Sequence, residues 1–253
     1  MKVTHIRNAT LIVDYADKKF LIDPFLAPKG TYPPFPNAAR QDQNNPLVEL
    51  PMTVEAITQY VDAVILTHLH LDHFDDAAKN VLPKHIKMFV QNHADADHVE
   101  KAGFTNVEVL QQDTILDGIR MIKTPGEHGR GEILERMGQV CGVILQHSTE
   151  PSLYVAGDTV WYEAVKRTLA AHKPDIIVVN GGDNQLNEGG SLVMGKEDIA
   201  QVYQATTDST LVVVHMEAVN HWVLSREELR HFLKSSGMIT RVLVPDDGEC
   251  YTF

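Results

Sequence analysis

The chain has 253 residues, 43% of them hydrophobic and 22% charged, with a mean hydropathy of -0.16. That balance excludes a fibrous or disordered chain and predicts a folded unit with a sizeable core. Lys and Arg total 22 against 34 Asp and Glu, and the formal charge of -12 speaks against general nucleic-acid binding and against docking on anionic membranes, since both draw on clustered cations.

Taken in chain order, Met1–Phe20 mixes charges into its apolar positions and lacks the core of a secretory signal. Short β-branched runs predict strands over Thr10–Tyr15 and Lys19–Ile22. Residues 24–51 break the rhythm, holding seven of the 12 prolines together with Tyr32, Phe35, Asn44 and Asn45. A loop of that length in a compact fold is usually functional, and its stiffening prolines predict an active-site lid. Then follow a helix over Val54–Tyr60, a strand over Ala63–Thr67, a helix over Asp75–Leu82, a strand over Met88–Gln91 and a helix over Ala94–Ala102. Strands are predicted over Ile119–Lys123, Gly142–Gln146 and Leu153–Ala156, and a helix over Tyr162–Ala171. The remainder alternates: strand Ile176–Asn180, helix Lys196–Ala205, strand Leu211–His215, helix Arg226–Lys234 with Ser225 as N-cap, strand Arg241–Val244.

Several of these strands are continuously apolar, which implies burial on both faces and helices layered outside an α/β core. No repeat or compositional break marks a linker, so 1–253 reads as a single domain. The longest apolar runs, Ile176–Val179 and Leu211–Val214, are far too short to cross a bilayer. Cys141 and Cys250 cannot supply a disulfide framework or a thiolate metal cage, which points to the reduced cytoplasm.

The unusual number is 13 histidines, against 8 Phe and 7 Tyr. Three of them fall in Thr67-His68-Leu69-His70-Leu71-Asp72-His73, directly after the strand that begins at Ala63. Residues two apart in extended chain point the same way, so His68 and His70 can grip one cation together. Asp72 and His73 fall where the chain turns into the next helix and can face a second. Imidazole and carboxylate suit zinc and its first-row neighbours better than calcium or magnesium.

The pattern His68-x-His70-x-Asp72-His73 after a buried strand resembles the signature of the metallo-β-lactamase superfamily. Four further segments resemble parts of that family in order: Leu21-Ile22-Asp23-Pro24, Thr124-Pro125-Gly126-Glu127-His128-Gly129, Ala156-Gly157-Asp158-Thr159 and Val212-Val213-Val214-His215. The resemblance implies a four-layer αββα sandwich with two divalent metal ions at the strand ends between the sheets. It implies that His68, His70 and His128 hold one metal, that Asp72, His73 and His215 hold the other, and that Asp158 bridges them. The Pro-x-x-His-Gly spacing at Pro125–Gly129 is similar to the branch containing ascorbate-6-phosphate lactonase. His221 stands six residues beyond His215 and competes for the last ligand position; His215 is preferred because it ends an apolar strand.

A divalent cation lowers the pKa of bound water from 15.7 to about 7, and two cations also polarise the substrate oxygen and stabilise the leaving oxygen. The expected activity is therefore hydrolysis of a small ester, lactone or phosphate-bearing molecule by a metal-bridged hydroxide, with Asp72 and Asp158 as the catalytic carboxylates. A metal-dependent phosphodiesterase and a noncatalytic metal-stabilised ligand sensor are the alternatives. Zinc leads, with manganese and iron open. Asp23 and Glu127 are candidates for orienting ligand imidazoles, and Asn180 and His221 for touching substrate or supporting the ligands. Gly190–Glu197 nearly matches a phosphate-binding loop, but Glu197 stands where Ser or Thr is required, so a nucleotide site is rejected. His5, His85, His93, His98, His147, His172 and His231 read as solvated. The expected partner is a small-molecule substrate, and an anionic one is compatible with two cations in an acidic body. No nucleic acid or membrane partner is expected, and a homo-oligomer is compatible with the sequence.

Overall fold

The computed structural model describes residues 1–253. Strands β1 (Lys2–Arg7), β2 (Thr10–Tyr15) and β3 (Lys18–Ile22) form an antiparallel meander. Helix α1 (Val54–Thr58), strand β4 (Ala63–Ile65), helix α2 (Asp76–Val81), strand β5 (Lys87–Val90), helix α3 (His93–Lys101) and strand β6 (Val107–Val109) then extend the sheet in parallel. The second half repeats the plan. Strands β7 (Thr114–Leu116) and β8 (Ile119–Pro125), helix α4 (Ile133–Met137), and strands β9 (Cys141–His147) and β10 (Glu150–Val155) make the antiparallel part. Helix α5 (Glu163–His172), strand β11 (Ile176–Asn180), helix α6 (Lys196–Ala205), strand β12 (Thr210–Val214), helix α7 (Arg226–Ser235) and strand β13 (Val242–Leu243) make the parallel part. Strand β14 (Cys250–Thr252) returns to pair with β1, giving sheet orders β14-β1-β2-β3-β4-β5-β6 and β13-β12-β11-β10-β9-β8-β7.

Three apolar clusters define four layers. One lies between the sheets, with Val13, Phe20, Ile65, Phe89, Val143, Val178 and Val212 among its members. A second seals α1–α3 onto the first sheet through Ile57, Ala78 and Val99, and a third seals α5–α7 onto the second through Val165, Ile199 and Leu229. Each fully buried aliphatic contributes about 1.5–3 kcal/mol relative to exposure, so these interfaces dominate the fold's stability. The αββα sandwich expected from the family resemblance is the observed architecture. Helix α7 shows how local sequence sets an element: Ser225 and Glu228 close a capping box, and Leu229 and Leu233 fall on the buried face.

Strands β1, β6, β7 and β14 and helix α4 lack the apolar runs that identified the others. In β1 the polar residues Thr4, His5 and Arg7 are buried, which corrects the expectation that His5 is solvated. His5 Nε2 lies 3.0 Å from the Asn8 carbonyl, and burial lowers its pKa against the opposing pull of Asp247.

Two backbone hydrogen bonds cross between the sheets: Cys141 N–H donates to Thr67 O at 3.1 Å, and His215 N–H donates to Asn8 O at 2.8 Å. The chain at Gly157 has φ +70, and a Cβ there would lie 2.5 Å from Cys141 O and 3.2 Å from Thr67 Cβ, so only glycine lets these strand ends meet.

Segment 24–51 is fastened at both ends of its path. The buried Arg7 guanidinium donates to the carbonyls of Phe25, Ala27 and Val48, and Asp75 accepts from the Leu26 and Ala27 amides. Further along, Asn220 Oδ1 accepts from Phe35 N–H and Asn45 Nδ2, while its Nδ2 donates to Phe35 O and Ala39 O.

Candidate metal centre

The strand ends of both sheets open onto one spot. His68, His70, Asp72 and His73 follow β4, His128 follows β8, Asp158 follows β10 and His215 follows β12. All are buried except His70, which is partly open. Ligand atoms of His68, His70 and His128 lie within 4.8 Å of one another, as do those of Asp72, His73 and His215, and those of His68, His73 and Asp158.

Asp158 stands at the junction. Its Oδ2 is 3.2 Å from His73 Nε2, 3.4 Å from His128 Nε2 and 3.9 Å from His68 Nε2. Its Oδ1 is 3.7 Å from His215 Nε2. Asp72 Oδ2 is 3.2 Å from His215 Nε2, and His215 Nε2 is 3.3 Å from His73 Nε2. His221 belongs to none of these groups. It lines the adjoining cavity, edge-on to Phe35 with ring centroids 5.1 Å apart, and burial pushes its pKa down to about 4.

The residues around the cluster fix its orientation. Asp23 Oδ2 accepts from Thr67 Oγ1 at 2.7 Å and pairs with His73 Nδ1 at 2.9 Å, while its Oδ1 accepts from Thr67 N–H. His73 is thereby turned with Nε2 toward the cluster. The His128 Nδ1 faces the Leu192 carbonyl at 3.0 Å, Asn180 Nδ2 donates to Asp158 Oδ1 at 2.5 Å, and Asn8 Nδ2 donates to both the carbonyl and Oδ2 of Asp72. Glu127 acts through its backbone: its amide donates to Thr159 Oγ1 and its carbonyl accepts from Val160, while its carboxylate touches none of the cluster. Asp23 and His215 hold left-handed backbone, φ 46 and φ 61, as functional strand ends often do. Asn8 and Thr67 were invisible as site residues in the sequence, because a lone Asn in a strand turn and a Thr ending a strand carry no motif.

The electrostatics favour bound cations. Burial and the neighbouring imidazoles hold the His68 pKa well below its ordinary value, and its Nε2 is buried with no hydrogen-bond partner. Burial opposes ionisation of Asp158 and Asp72, yet His73 and His215 outweigh it and hold both carboxyls well below the usual range. Burial likewise opposes a charge on His73, and Asp158, Asp23 and Asp72 together overcome it and raise its pKa. An orphaned imidazole nitrogen among five His and two carboxylates is the donor set of a first-row divalent metal.

Beside the cluster lies a cavity of about 210 Å³, bounded by His70, Asp72, His128, Asp158 and His221 and by the side chains of Phe35, Pro36, Leu71, Arg136, Met137, Leu186 and Leu192. Two residues of segment 24–51 thus form part of its wall. Trp161, three residues after Asp158, packs against the outer cluster of the second sheet.

A family model described as "Beta-lactamase superfamily domain" matches residues 18–216. The chain belongs to this superfamily. UPF0173 protein YddR of Bacillus subtilis (strain 168) is 62% identical over 254 residues, covering 100% of both chains. The crystal structure of isothiocyanate hydrolase from Delia radicum gut bacteria is 41% identical with TM-score 0.96, covering 100% of this chain and 99% of that one. A structure from Veillonella parvula DSM 2008, described as a "possible metal-dependent hydrolase", is 38% identical with TM-score 0.97 over 100% of this chain and 99% of the other. By family and fold the chain stands among metal-dependent hydrolases. The superfamily expectation holds, whereas these relatives give no support to the ascorbate-6-phosphate lactonase branch.

Proposed function

We propose that this member of the superfamily is a dinuclear metal hydrolase acting on a small, mostly apolar electrophile. The observation that carries the reading is the convergence of seven His and Asp side chains, four of which (His70, Asp72, His128 and Asp158) line the adjoining cavity. In it His68, His70 and His128 would hold one metal, Asp72, His73 and His215 the other, with Asp158 shared. When bound, the two ions supply Lewis acidity and a nucleophilic water at neutral pH. The chain's own part is orientation: Asp23, Asn180 and the Leu192 carbonyl hold ligand side chains in place, and Phe35, Leu186 and Leu192 exclude water from the substrate's body. Asp72 and Asp158 are the carboxylates placed to accept a proton from the attacking water.

Arg136 is the only Arg or Lys in the cavity wall. That favours a small ester, a lactone or an isothiocyanate, the last suggested by the 41%-identical hydrolase, over a phosphodiester. Zinc is the metal proposed from the His-rich donors. Cys141 and Cys250 are unpaired, which supports the reduced cytoplasm as compartment. No helix is long and apolar enough to cross a membrane.

The test is metal analysis of protein purified without added metal, joined to a hydrolysis screen of esters, lactones, isothiocyanates and phosphodiesters with wild type and His70→Ala. Two metals per chain and turnover lost in the variant are expected. Less than one metal after reconstitution overturns the dinuclear reading; full metal with no turnover makes the chain a ligand sensor.

A further inference from the structure

Helix α4 follows His128 closely and has an unusually firm seat. The chain at Gly129 has φ +108, and a Cβ there would lie 2.4 Å from Ile133 Cγ2 and 3.4 Å from Leu192 Cδ2. Ile133, buried at the start of α4, therefore occupies the space a side chain at 129 would need, and it also packs on Gly189. The same wall is clasped from the other side where His128 Nδ1 meets the Leu192 carbonyl. The geometry of α4 is thus tied to a residue of the metal centre.

Arg136 sits in the last turn of this helix and reaches the cavity wall. Of the nine arginines, Arg120, Arg130, Arg226 and Arg230 pair with a carboxylate within 2.7 Å, Arg7, Arg40 and Arg241 donate to backbone carbonyls, and Arg136 and the exposed Arg167 do neither. Arg136 pairs with none and donates no hydrogen bond to the protein, although Glu132 and Glu135 lie on or beside the same turn and the chain carries a net charge of -12. Arg136 is exposed at the cavity's edge and its guanidinium makes no bond to the protein, so its planar fork is free to meet an incoming anion. The cavity, about 210 Å³, exceeds the roughly 150 Å³ that accepts a benzene ring by about the volume of a small functional group.

We propose that Arg136 is a specificity-determining residue that binds a carboxylate on the substrate. The ligand is then an amphipathic small molecule: an electrophilic group at the metal centre, an apolar body along Phe35, Met137 and Leu192, and a carboxylate on Arg136. This rests on the hydrolase reading for the identity of the electrophile and on Arg136 alone for the carboxylate.

Two measurements separate these. The first is calorimetric binding of 4-methylbenzoate and 4-methylbenzamide to the zinc-reconstituted wild type, Arg136→Gln and Arg136→Lys. The second is the kcat/KM ratio for a matched carboxylate-bearing and neutral aryl ester or aryl isothiocyanate. The expected result is a preference for the carboxylate of about tenfold or more, the size of one charge-assisted hydrogen-bonded contact, collapsing in Arg136→Gln and partly kept in Arg136→Lys. No preference in the wild type, or one that survives Arg136→Gln, overturns the proposal, since the carboxylate is then read by the metals or by nothing. A binding preference that needs Arg136 with no turnover of any ester or isothiocyanate leaves the subsite standing and overturns the hydrolase reading instead.

Discussion

Asp23 Oδ2 lies 2.9 Å from His73 Nδ1 and also accepts from Thr67 Oγ1, so one carboxylate orients an imidazole of the cluster and the strand end before it. Asn keeps one acceptor oxygen for what two carboxylate oxygens now share, and loses the charge, so His73 is held less firmly. In the proposed dinuclear centre, Asp23→Asn is expected to weaken binding of the ion at His73 by about 10–100-fold. The ion at His68, His70 and His128 should be held much as before. Stepwise metal titration followed by calorimetry checks this, and equal loss at both positions contradicts it.

Asn180 Nδ2 meets Asp158 Oδ1 inside a fully buried site. Asn180→Asp replaces a donor with a second carboxylate against Asp158. The metal-free variant should lose several kcal/mol, the scale of an uncompensated buried charge, roughly 3–5 kcal/mol. Bound cations offset the new charge, so the loss should shrink on reconstitution. Denaturant unfolding with and without zinc reads both numbers.

Chelation should lower the thermal midpoint. A ligand at 100 times its Kd adds about 2.7 kcal/mol to the folded state, which for a chain of this size is roughly 5–10 °C per site. The effect should depend on pH. Burial opposes protonation of His73 and His215, but Asp158 with Asp72, and for His73 also Asp23, raises both above their ordinary value in the metal-free protein. The site thus holds protons more tightly than free imidazoles do, and a cation must displace them. Metal affinity is expected to rise as pH rises through neutrality, with protons released on binding. A flat affinity between pH 6 and 8 would contradict it.

Asn220 is fully buried and makes four side-chain hydrogen bonds into segment 24–51, two of them to the backbone of Phe35. Truncating it leaves several of those groups unpaired at about 1–3 kcal/mol each before the loop relaxes. Asn220→Ala is expected to cost about 2–4 kcal/mol and to raise KM more than it lowers kcat, because Phe35 walls the cavity without being one of the residues proposed to hold metal. Urea unfolding and steady-state kinetics test the two halves separately.

The sequence carried the buried middle of the fold well. Ile176–Asn180 and Lys196–Ala205 have the bounds expected, since a continuous apolar run and a 3.6-residue period are each strong local signals. The edge strands β6, β7 and β14 are three residues each and partly exposed, and left no such trace. The repeated plan of the two sheets was equally hidden, because topology recurs there without recurrence of residues. The cluster was legible because its members follow the ends of four strands, β4, β8, β10 and β12, in short motifs. What surrounds it was not: Asn220 meets Asn45 across 175 positions, and Asn8 meets Asp72 across 64. Such pairings exist only once the chain has folded. The same holds for His221, which the structure sets beside Phe35 while His215 joins Asp72 and His73.

The amides of Cys141 and His215 each bond across the two sheets, to Thr67 and Asn8; His215 belongs to the cluster and Thr67 precedes His68. Those two hydrogens exchange with solvent only when the sheets part. The cluster draws side chains from both sheets, so any cation it holds acts as a rivet through that seam. Occupancy of the centre then becomes visible without any substrate, as slowed deuterium uptake at two backbone positions far apart in sequence.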